Sequence, residues 1–272
     1  MECCAVGGQW LCGTLWATAA AATLAGVTGP TIIERSVAAT KSDWDAAPQY
    51  SYKETDRGHD GSKTYRVCMI DGSPYRRLLA VNDSPLSADE QRNEEEKLGQ
   101  AKAERKSESQ EERARRIEAY NKERTRDHAM LLELTRAFDF KLIGQTRLNG
   151  HDVYTIQATP RKEFQPSSAE TKVLTGMRGR LWIDQETFQW VKVTARVIRP
   201  VSIEGFLARV EPGTYFELEK QPAGENVWLP SHFAMRSKAA ILNIFQHASR
   251  EDDTFSDYRK EIPGQADACG PE

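Results

Sequence analysis

The sequence predicts a mainly β (α+β) fold, a curved antiparallel sheet or incomplete β-barrel that is covered by helices and carries a long charged helical insertion. Three observations lead to this prediction. Residues 178–198 have the pattern of a β-hairpin, strand-like segments lie on both sides of a central charged segment, and few segments have a helical pattern. The chain has 272 residues, and we predict one domain over residues 31–260.

The hairpin at residues 178–198 carries the clearest strand signal in the chain. Its arms are residues 179–184 and 188–198, and Asp184-Gln185-Glu186-Thr187 is the turn between them. The second arm alternates between two classes of residue, as a strand with one buried face does. One face is predicted to carry Val191, Val193, Ala195 and Val197, and the other Trp190, Lys192, Thr194 and Arg196.

The N-terminal segment has the character of an export signal. Residues 10–28 are an uninterrupted run of apolar and small residues, and small residues crowd the end of the run near Ala25. We therefore predict a signal peptide over residues 1–25, and hence export. No Lys or Arg precedes the run, so a retained N-terminal membrane anchor and an incidental apolar tail stay open as alternatives.

The first predicted elements are one helix and three strands. Residues 31–47 have a partial apolar stripe of helical period, and Pro48 ends it. Strands are predicted at residues 50–55, 63–70 and 75–81. Because the segments between them are short and rich in turn residues, we expect an antiparallel meander.

A highly charged segment follows at residues 86–136. Ser87 and Glu90 have the spacing of a capping box at its start, and proline is absent. A single helix from residue 87 to residue 136 would be about 75 Å long, so we expect a break, at Gly99. The apolar end of the segment should pack on the sheet while its first half projects into solvent.

Three interpretations of the charged segment were weighed: a solvated helix, a coiled-coil arm for a protein partner, and a contact with nucleic acid. The first is favoured, because no sustained apolar heptad supports an arm. The balanced charge of the segment and the net charge of -3 argue against nucleic acid.

Strand-like segments resume at Phe138 and continue almost to the end of the chain. Residues 138–148 and 153–159 flank Asn149-Gly150, the strongest short hairpin signal. Beyond residue 198, further strands are predicted at residues 202–210, 214–221, 227–237, 240–249 and 254–260. Residues 261–272 are expected to form a disordered tail.

The reactive side chains form no pattern that indicates catalysis. The chain has five cysteines, without zinc-site spacing or a CxxC motif, and its histidines are scattered. We therefore predict no catalytic residue, no metal site and no cofactor. Cys68 and Cys269 either form one disulfide or remain unpaired with Cys269 in a loose tail, and the second alternative is favoured.

A long antiparallel meander with few helices curls, and its concave face must be covered. Because the predicted helical covers are small, an apolar pocket for a hydrophobic ligand could remain beneath them, although side chains could also fill the space. The predicted lining residues are Leu131, Leu181, Ile183, Val191, Val193, Phe216 and Leu218. An error of one residue in strand phase would turn these side chains to the other face.

Two motifs resemble those of the LolA/LolB-like superfamily of bacterial lipoprotein-sorting and lipid-binding proteins. The first is Gly179-Arg180-Leu181-Trp182-Ile183-Asp184, followed by a turn and a long Lys-containing strand. The second is Val227-Trp228-Leu229-Pro230-Ser231, which resembles an element that opens a later strand in that family. The order of signal, helix, strands, helical cover and strands is also similar. The charged segment and the missing basic N-terminus depart from the family pattern.

The resemblance implies a function as well as a fold. It implies an incomplete barrel closed by helices, location in the periplasm, and non-catalytic carriage of acyl chains of lipoproteins or other lipids, with transient membrane contact. The alternative is an envelope sensor or scaffold of the same fold that binds a protein partner through the charged helix. An enzyme acting on an envelope substrate is the third hypothesis.

Overall fold

The computed structural model describes residues 27–203, 208–241, 245–261 and 269–270, without the side chains of residues 126–131, 170, 208, 239–241 and 245–247. The predicted signal peptide lies outside the described residues. No helix in the described ranges is long and apolar enough to cross a membrane.

The N-terminal half contains one helix, a small meander and two charged helices. Its elements are α1 (Gly29–Ala46), β1 (Tyr50–Gly58), β2 (Gly61–Ile70), β3 (Ser73–Val81), β4 (Ser84–Pro85), α2 (Ala88–Ser107) and α3 (Gln110–Ala137). The C-terminal half is almost entirely strand. It comprises β5 (Phe138–Leu148), β6 (His151–Pro160), β7 (Met177–Asp184), β8 (Trp190–Val197), β9 (Val201–Ser202), β10 (Ala208–Val210), β11 (Tyr215–Gly224), β12 (Val227–Ile241) and β13 (Phe245–Lys260), with a short 3-10 helix at Glu170–Gly176.

The described strands form one antiparallel sheet in the order β4-β3-β2-β1-β13-β12-β11-β8-β7-β6-β5, with β10 beside β12 and β9 beside β10. The sheet remains open, with β4 and β5 at its two ends. The predicted fold class, a curved antiparallel sheet or incomplete barrel with helical covers, is confirmed. The first long strand of the chain, β1, pairs with the last, β13, so the N-terminal meander adds to the edge of the C-terminal strands.

Local sequence signals account for the start of α1 and for the β5–β6 hairpin. Thr28 caps α1, its hydroxyl accepting from the backbone N–H of Thr31 at 3.4 Å. Asn149 and Gly150 have φ of 50° and 86°. Two consecutive positive φ angles are what a two-residue type I′ turn requires, which is why Asn-Gly predicts this hairpin correctly.

The predicted break at Gly99 is wrong, because Gly99 lies inside α2 and the chain breaks at Glu108 and Ser109. The cause is a second capping box: the Ser109 hydroxyl accepts from the backbone N–H of Glu112 at 3.2 Å, and the Glu112 carboxylate accepts from the N–H of Ser109 at 2.9 Å. Both groups favour the start of a new helix over continuation of the old one.

The expectation that the first half of the charged segment projects into solvent is also wrong, because α2 packs on β2 and β3. Leu98 of α2 is 6% exposed and lies in a cluster with Cys68, Ile70 and Cys269. The guanidinium of Arg105 donates to the carbonyl oxygens of Ile70 and Ser73, at 2.8 and 2.9 Å. The buried Glu94 of α2 also accepts from the backbone N–H of Leu78 of β3 at 3.2 Å, so a mostly polar helix docks through one apolar side chain and several polar contacts.

Three predicted strand boundaries require correction. The break expected between residues 249 and 254 is absent, because β13 runs from Phe245 to Lys260. The turn expected near residue 238 is absent: β12 runs unbroken to Ile241, which pairs with Phe245 of β13, because no turn-forming residue occurs where the turn was placed. The strand predicted at residues 202–210 is instead two short strands, β9 and β10, which pair with each other.

Cys68 and Cys269 form a disulfide. The favoured alternative of two unpaired thiols is therefore wrong in the structure, and Cys269 is buried, not held in a loose tail. The bridge closes a loop with a sequence separation of 201 residues, which links the C-terminal segment to β2.

Candidate functional site

An apolar cavity lies on the inner face of the sheet, which is the face that packs against α1 and the C-terminal end of α3. Its volume is about 60 Å³. The lining comprises Ile33 and Val37 of α1, Leu134 and Thr135 of α3, Leu174 of the 3-10 helix, and Phe138, Phe140, Ala158, Met177, Gly179, Leu181, Trp190, Val193, Thr194 and Ala195 of the sheet. Its surface is almost wholly hydrocarbon, so the site suits an apolar group and offers no ligand for a metal.

The hairpin of β7 and β8 forms the floor of the cavity. Leu181 pairs with Val193 across the two strands, but the next pair on this face is Ile183 with Trp190, because the register shifts between Trp182 and Ile183. The shift is a β-bulge, which inserts one extra residue into β8. As a result Trp190 lies on the same face as Val193 and lines the cavity.

The turn that precedes the bulge is held by Asp184. Its carboxylate accepts from the backbone N–H groups of Glu186 and Thr187 at 3.1 and 2.7 Å, and from the Thr187 hydroxyl at 2.8 Å. Phe188 has φ of 60°, an uncommon conformation for a bulky residue. Its ring is buried, and the guanidinium carbon of Arg35 of α1 lies 3.5 Å from the centre of the ring. Packing with α1 therefore stabilises the strained backbone conformation of Phe188.

The structure brings together some of the residues predicted to line a pocket. Leu181 and Val193 line the cavity, and Ile183 belongs to the same buried cluster. Phe216 and Leu218 pack against that cluster without lining the cavity. The side chain of Leu131 lies outside the described residues.

Val191 was placed on the wrong face. It is fully buried in a different cluster, with Val153 and Trp228. The cause is the bulge, which moves Val191 out of phase with Val193. Strict alternation had assigned both valines to one face and Trp190 to the other.

A buried polar anchor, which the sequence analysis missed, fixes α1 to the sheet beside the cavity. Asp43 is 2% exposed and forms an ion pair with Lys220 of β11. The second carboxylate oxygen of Asp43 accepts from the side-chain amide of Gln189 at 3.0 Å and from the backbone N–H of Trp228 at 2.9 Å. Burial lowers the pKa of the Lys220 ammonium, and the Asp43 carboxylate opposes this effect.

A second polar contact holds α1 at a position about two turns closer to its N-terminus than Asp43. The indole N–H of Trp190 donates to the hydroxyl of Ser36 at 3.1 Å, and that hydroxyl donates to the carbonyl of Ile33 at 2.8 Å. Ser36 and Asp43 are seven residues apart, so both lie on the face of α1 that carries Ile32. This spacing was the signal in the sequence that could have identified the anchor.

Across the described ranges, no group of three or more His, Cys, Asp or Glu side chains is arranged to hold a metal ion.

Comparisons with known proteins match the chain to several solved structures. One is a putative outer membrane lipoprotein-sorting protein domain from Vibrio parahaemolyticus, with 10% identity over 86% of this chain and 95% of that chain and a TM-score of 0.32. Another is a LolA superfamily protein from Nitrosomonas europaea, with 12% identity over 88% of this chain and 96% of that chain and a TM-score of 0.32.

A further similar structure is the complex of MucA and MucB from Pseudomonas aeruginosa, with 9% identity over 84% of this chain and 99% of that chain and a TM-score of 0.22. No family model and no curated protein matches the sequence. At these low identities and TM-scores, the similarities carry no conclusion about the family or role of this chain. What it does has to be argued from its own residues.

Proposed function

We propose that this protein is a non-catalytic carrier, exported to the periplasm, that binds acyl chains of lipoproteins or other lipids on the inner face of its sheet. The observation that supports the proposal is the hydrocarbon-lined cavity between the sheet, α1 and the end of α3. Each acyl methylene moved from water into such a site contributes about 0.8 kcal/mol, so uptake needs no covalent step.

The size of the cavity limits what it holds in the conformation described. Its volume of about 60 Å³ is well below the volume of about 150 Å³ at which an apolar cavity binds benzene. The cavity therefore accommodates only the end of a chain, and loading of a longer chain requires one helical cover to move outwards.

We assign that movement to the C-terminal end of α3. The other cover, α1, is fixed by the Asp43–Lys220 ion pair and by the Ser36–Trp190 hydrogen bond. Arg124 of α3 contacts Trp44 of α1, but the C-terminal end of α3 beyond that contact contributes Leu134 to the cavity through apolar contact. Apolar contacts are non-directional, so helix movement that exchanges protein side chains for ligand methylenes costs little.

The scaffold alternative depends on free charges along α2 and α3, and the structure gives it less support than the sequence does. Several of these charges already pair within the segment, among them Arg92 with Asp89 and Arg116 with Glu108. The packing of α2 on β3 removes the projecting arm that a scaffold would use. We therefore retain the carrier as the proposed function.

Native mass spectrometry of protein expressed in a bacterial periplasm tests the proposal. We expect co-purified lipid on the wild-type protein and its loss from Ala195→Leu, because Ala195 lines the cavity and a leucine there fills it. The control is Ala234→Leu on β12, at a position that pairs with Glu217 on the outer face. A wild-type protein without lipid, or equal lipid on both variants, would contradict the proposal.

A further inference from the structure

The outer face of the sheet, opposite the cavity, carries a row of arginines on neighbouring strands. Arg178 of β7 pairs with Arg196 of β8, which pairs with Tyr215 of β11. Tyr215 pairs with Arg236 of β12, and Arg236 pairs with Arg250 of β13. Directly paired residues point to the same face, and five adjacent strands span about 19 Å. We call these five residues the arginine row.

The four arginines are exposed, and three of them lack an acidic partner. Arg250 pairs with Asp252 at 3.1 Å. Within the described part of the chain, no ion pair forms to Arg178, Arg196 or Arg236. Since like charges placed directly opposite each other in a sheet are destabilising, folding gains nothing from this arrangement.

The carboxylates nearest to the row are already occupied. Glu217 accepts from Lys192 at 2.9 Å, and Tyr215 donates its hydroxyl proton to Glu217. Asp252 lies 3.1 Å from His232 as well as binding Arg250. The protein thus leaves three guanidinium groups unneutralised on one face, although its net charge is -3.

We propose that the arginine row docks the protein on a membrane surface that carries anionic phospholipids. The planar guanidinium donates two parallel hydrogen bonds to a phosphate, and basic residues at an anionic leaflet each add to binding. A row across five strands presents its charges on a broad face, which suits a surface of many headgroups better than a single small anion.

Two neighbouring residues support a lipid surface over another anionic partner. Tyr215 stands in the middle of the row, and tyrosine is a residue type enriched at the boundary between lipid and water. Ile198, two residues beyond Arg196, is 41% exposed. Because the net charge of the whole chain is negative, we expect this face to be the one attracted to an anionic surface, so docking would orient the cavity-bearing face away from the headgroups.

Cosedimentation of the full chain with vesicles tests the docking face. The vesicles contain phosphatidylcholine alone or phosphatidylcholine with phosphatidylglycerol, and the readout is the ratio of the two partition coefficients. Any binding by the apolar N-terminal residues would be common to both vesicles, so their contribution cancels in this ratio. The test variant is the triple substitution Arg178→Gln, Arg196→Gln and Arg236→Gln. The control is Lys41→Gln, Arg92→Gln and Arg115→Gln, which changes the net charge equally at exposed positions on the helices.

We expect the wild-type ratio to exceed that of the test variant by about 100-fold, as three basic contacts predict, and to fall with added salt. The control should retain the wild-type ratio. Because substitution relieves like-charge pairs, the test variant should unfold at the same urea concentration as the wild type or a higher one. A wild-type ratio near unity, or an equal loss in test and control variants, overturns the proposal.

Discussion

At the scale of single residues, the most consequential side chain is Asp43. It accepts three hydrogen bonds in a site from which water is excluded, and its ion pair with Lys220 joins the helical cover to the middle of the sheet. A buried ion pair is strongly destabilising when one partner alone is removed, since the other charge then stays buried without compensation. The position of α1 over the cavity therefore depends on one carboxylate.

Replacement of Asp43 by asparagine is expected to lower the free energy of unfolding by about 3–5 kcal/mol, because Lys220 is left as an unpaired buried cation. Asp45 is the matched control: it pairs with Lys41 on the same helix, but both side chains are more than half exposed. Asp45→Asn should cost less than about 1 kcal/mol. Urea unfolding measures both values, and similar costs for the two variants would show that the anchor adds no stability.

Asp253 is a second residue whose environment has a measurable consequence. It is 8% exposed on the inner face of β13, opposite Asp56 of β1, and its Oδ1 atom has no hydrogen-bond partner in the described structure. Burial raises the pKa of its carboxyl group to about 7, and the carboxylates of Glu251 and Asp56 add to the effect.

The raised pKa of Asp253 determines whether the free energy of unfolding rises or falls with pH. Between the ordinary value of 3.8 and about 7, the folded state keeps the proton on Asp253 while the unfolded state releases it. Its contribution to stability is therefore present at low pH and is lost as the pH rises through this window. Asp253→Asn stays neutral and avoids the buried charge that the wild type acquires as the pH rises, so the excess in unfolding free energy of the variant over the wild type should grow with pH, by about 1–3 kcal/mol.

Denaturant unfolding across this pH range measures the difference, with Asp60→Asn as the control, since the Asp60 side chain is fully exposed. A difference between Asp253→Asn and wild type that stays constant with pH would refute the assignment.

The residues around the cavity show which side-chain positions the sequence pattern predicts and which it does not. Leu181 and Val193 lie at the cavity, because their paired positions keep the alternation that the sequence shows. Trp190 and Val191 each lie on the face opposite to the predicted one, because a bulge shifts the register. A bulge depends on the partner strand, and the hairpin sequence alone does not reveal it. The seven-residue spacing of Ser36 and Asp43 marks one face of α1, but the sequence does not reveal that Lys220, far away in the chain, is the partner of Asp43.

At the scale of elements, the charged helices show how weak local signals decide a structure. Gly99 has a lower helix propensity than the residues around it, yet α2 continues through it. The helix ends just before Ser109 and Glu112, which cap the start of α3. A glycine inside a helix costs about 1 kcal/mol. The capping box at Ser109 satisfies backbone groups at the start of α3 and so favours the break there, and the packing of α2 on β3 adds to this preference.

Arg105 is expected to determine how firmly α2 is held. It donates to three carbonyl oxygens around the β2–β3 turn, those of Ile70, Ser73 and Pro74. Arg105→Gln removes these charge-assisted bonds and should lower the free energy of local opening of α2 by about 1–3 kcal/mol. Amide hydrogen exchange of α2 measures that opening. Arg92→Gln, at an exposed position on the same helix, should leave exchange unchanged, and faster exchange in both variants alike would argue against a specific role for Arg105.

At the scale of the whole molecule, the sheet order divides the strands into a meander of β1 to β4 and a larger group from β5 to β13, joined where β1 pairs with β13. The cavity lies wholly in the second group and its covers. The disulfide crosses the division, since it ties Cys68 of β2 to the C-terminal segment at Cys269. The antiparallel meanders were predictable from local turns, but this junction was not, because it pairs strands from opposite ends of the chain.

This division predicts that stability and ligand binding respond separately to loss of the disulfide. A bridge that closes a loop of this length typically contributes about 2–5 kcal/mol, chiefly by restricting the unfolded chain. The double variant Cys68→Ser and Cys269→Ser should therefore unfold at a lower urea concentration than the wild type. Reducing agents should not change the unfolding midpoint of the variant, but they should lower that of the wild type to the value of the variant. Lipid content measured by native mass spectrometry should not change, since neither cysteine touches the cavity. Loss of lipid together with stability would mean that the meander and the cavity unfold or rearrange as one unit, and that the β1–β13 junction transmits structure across the whole sheet.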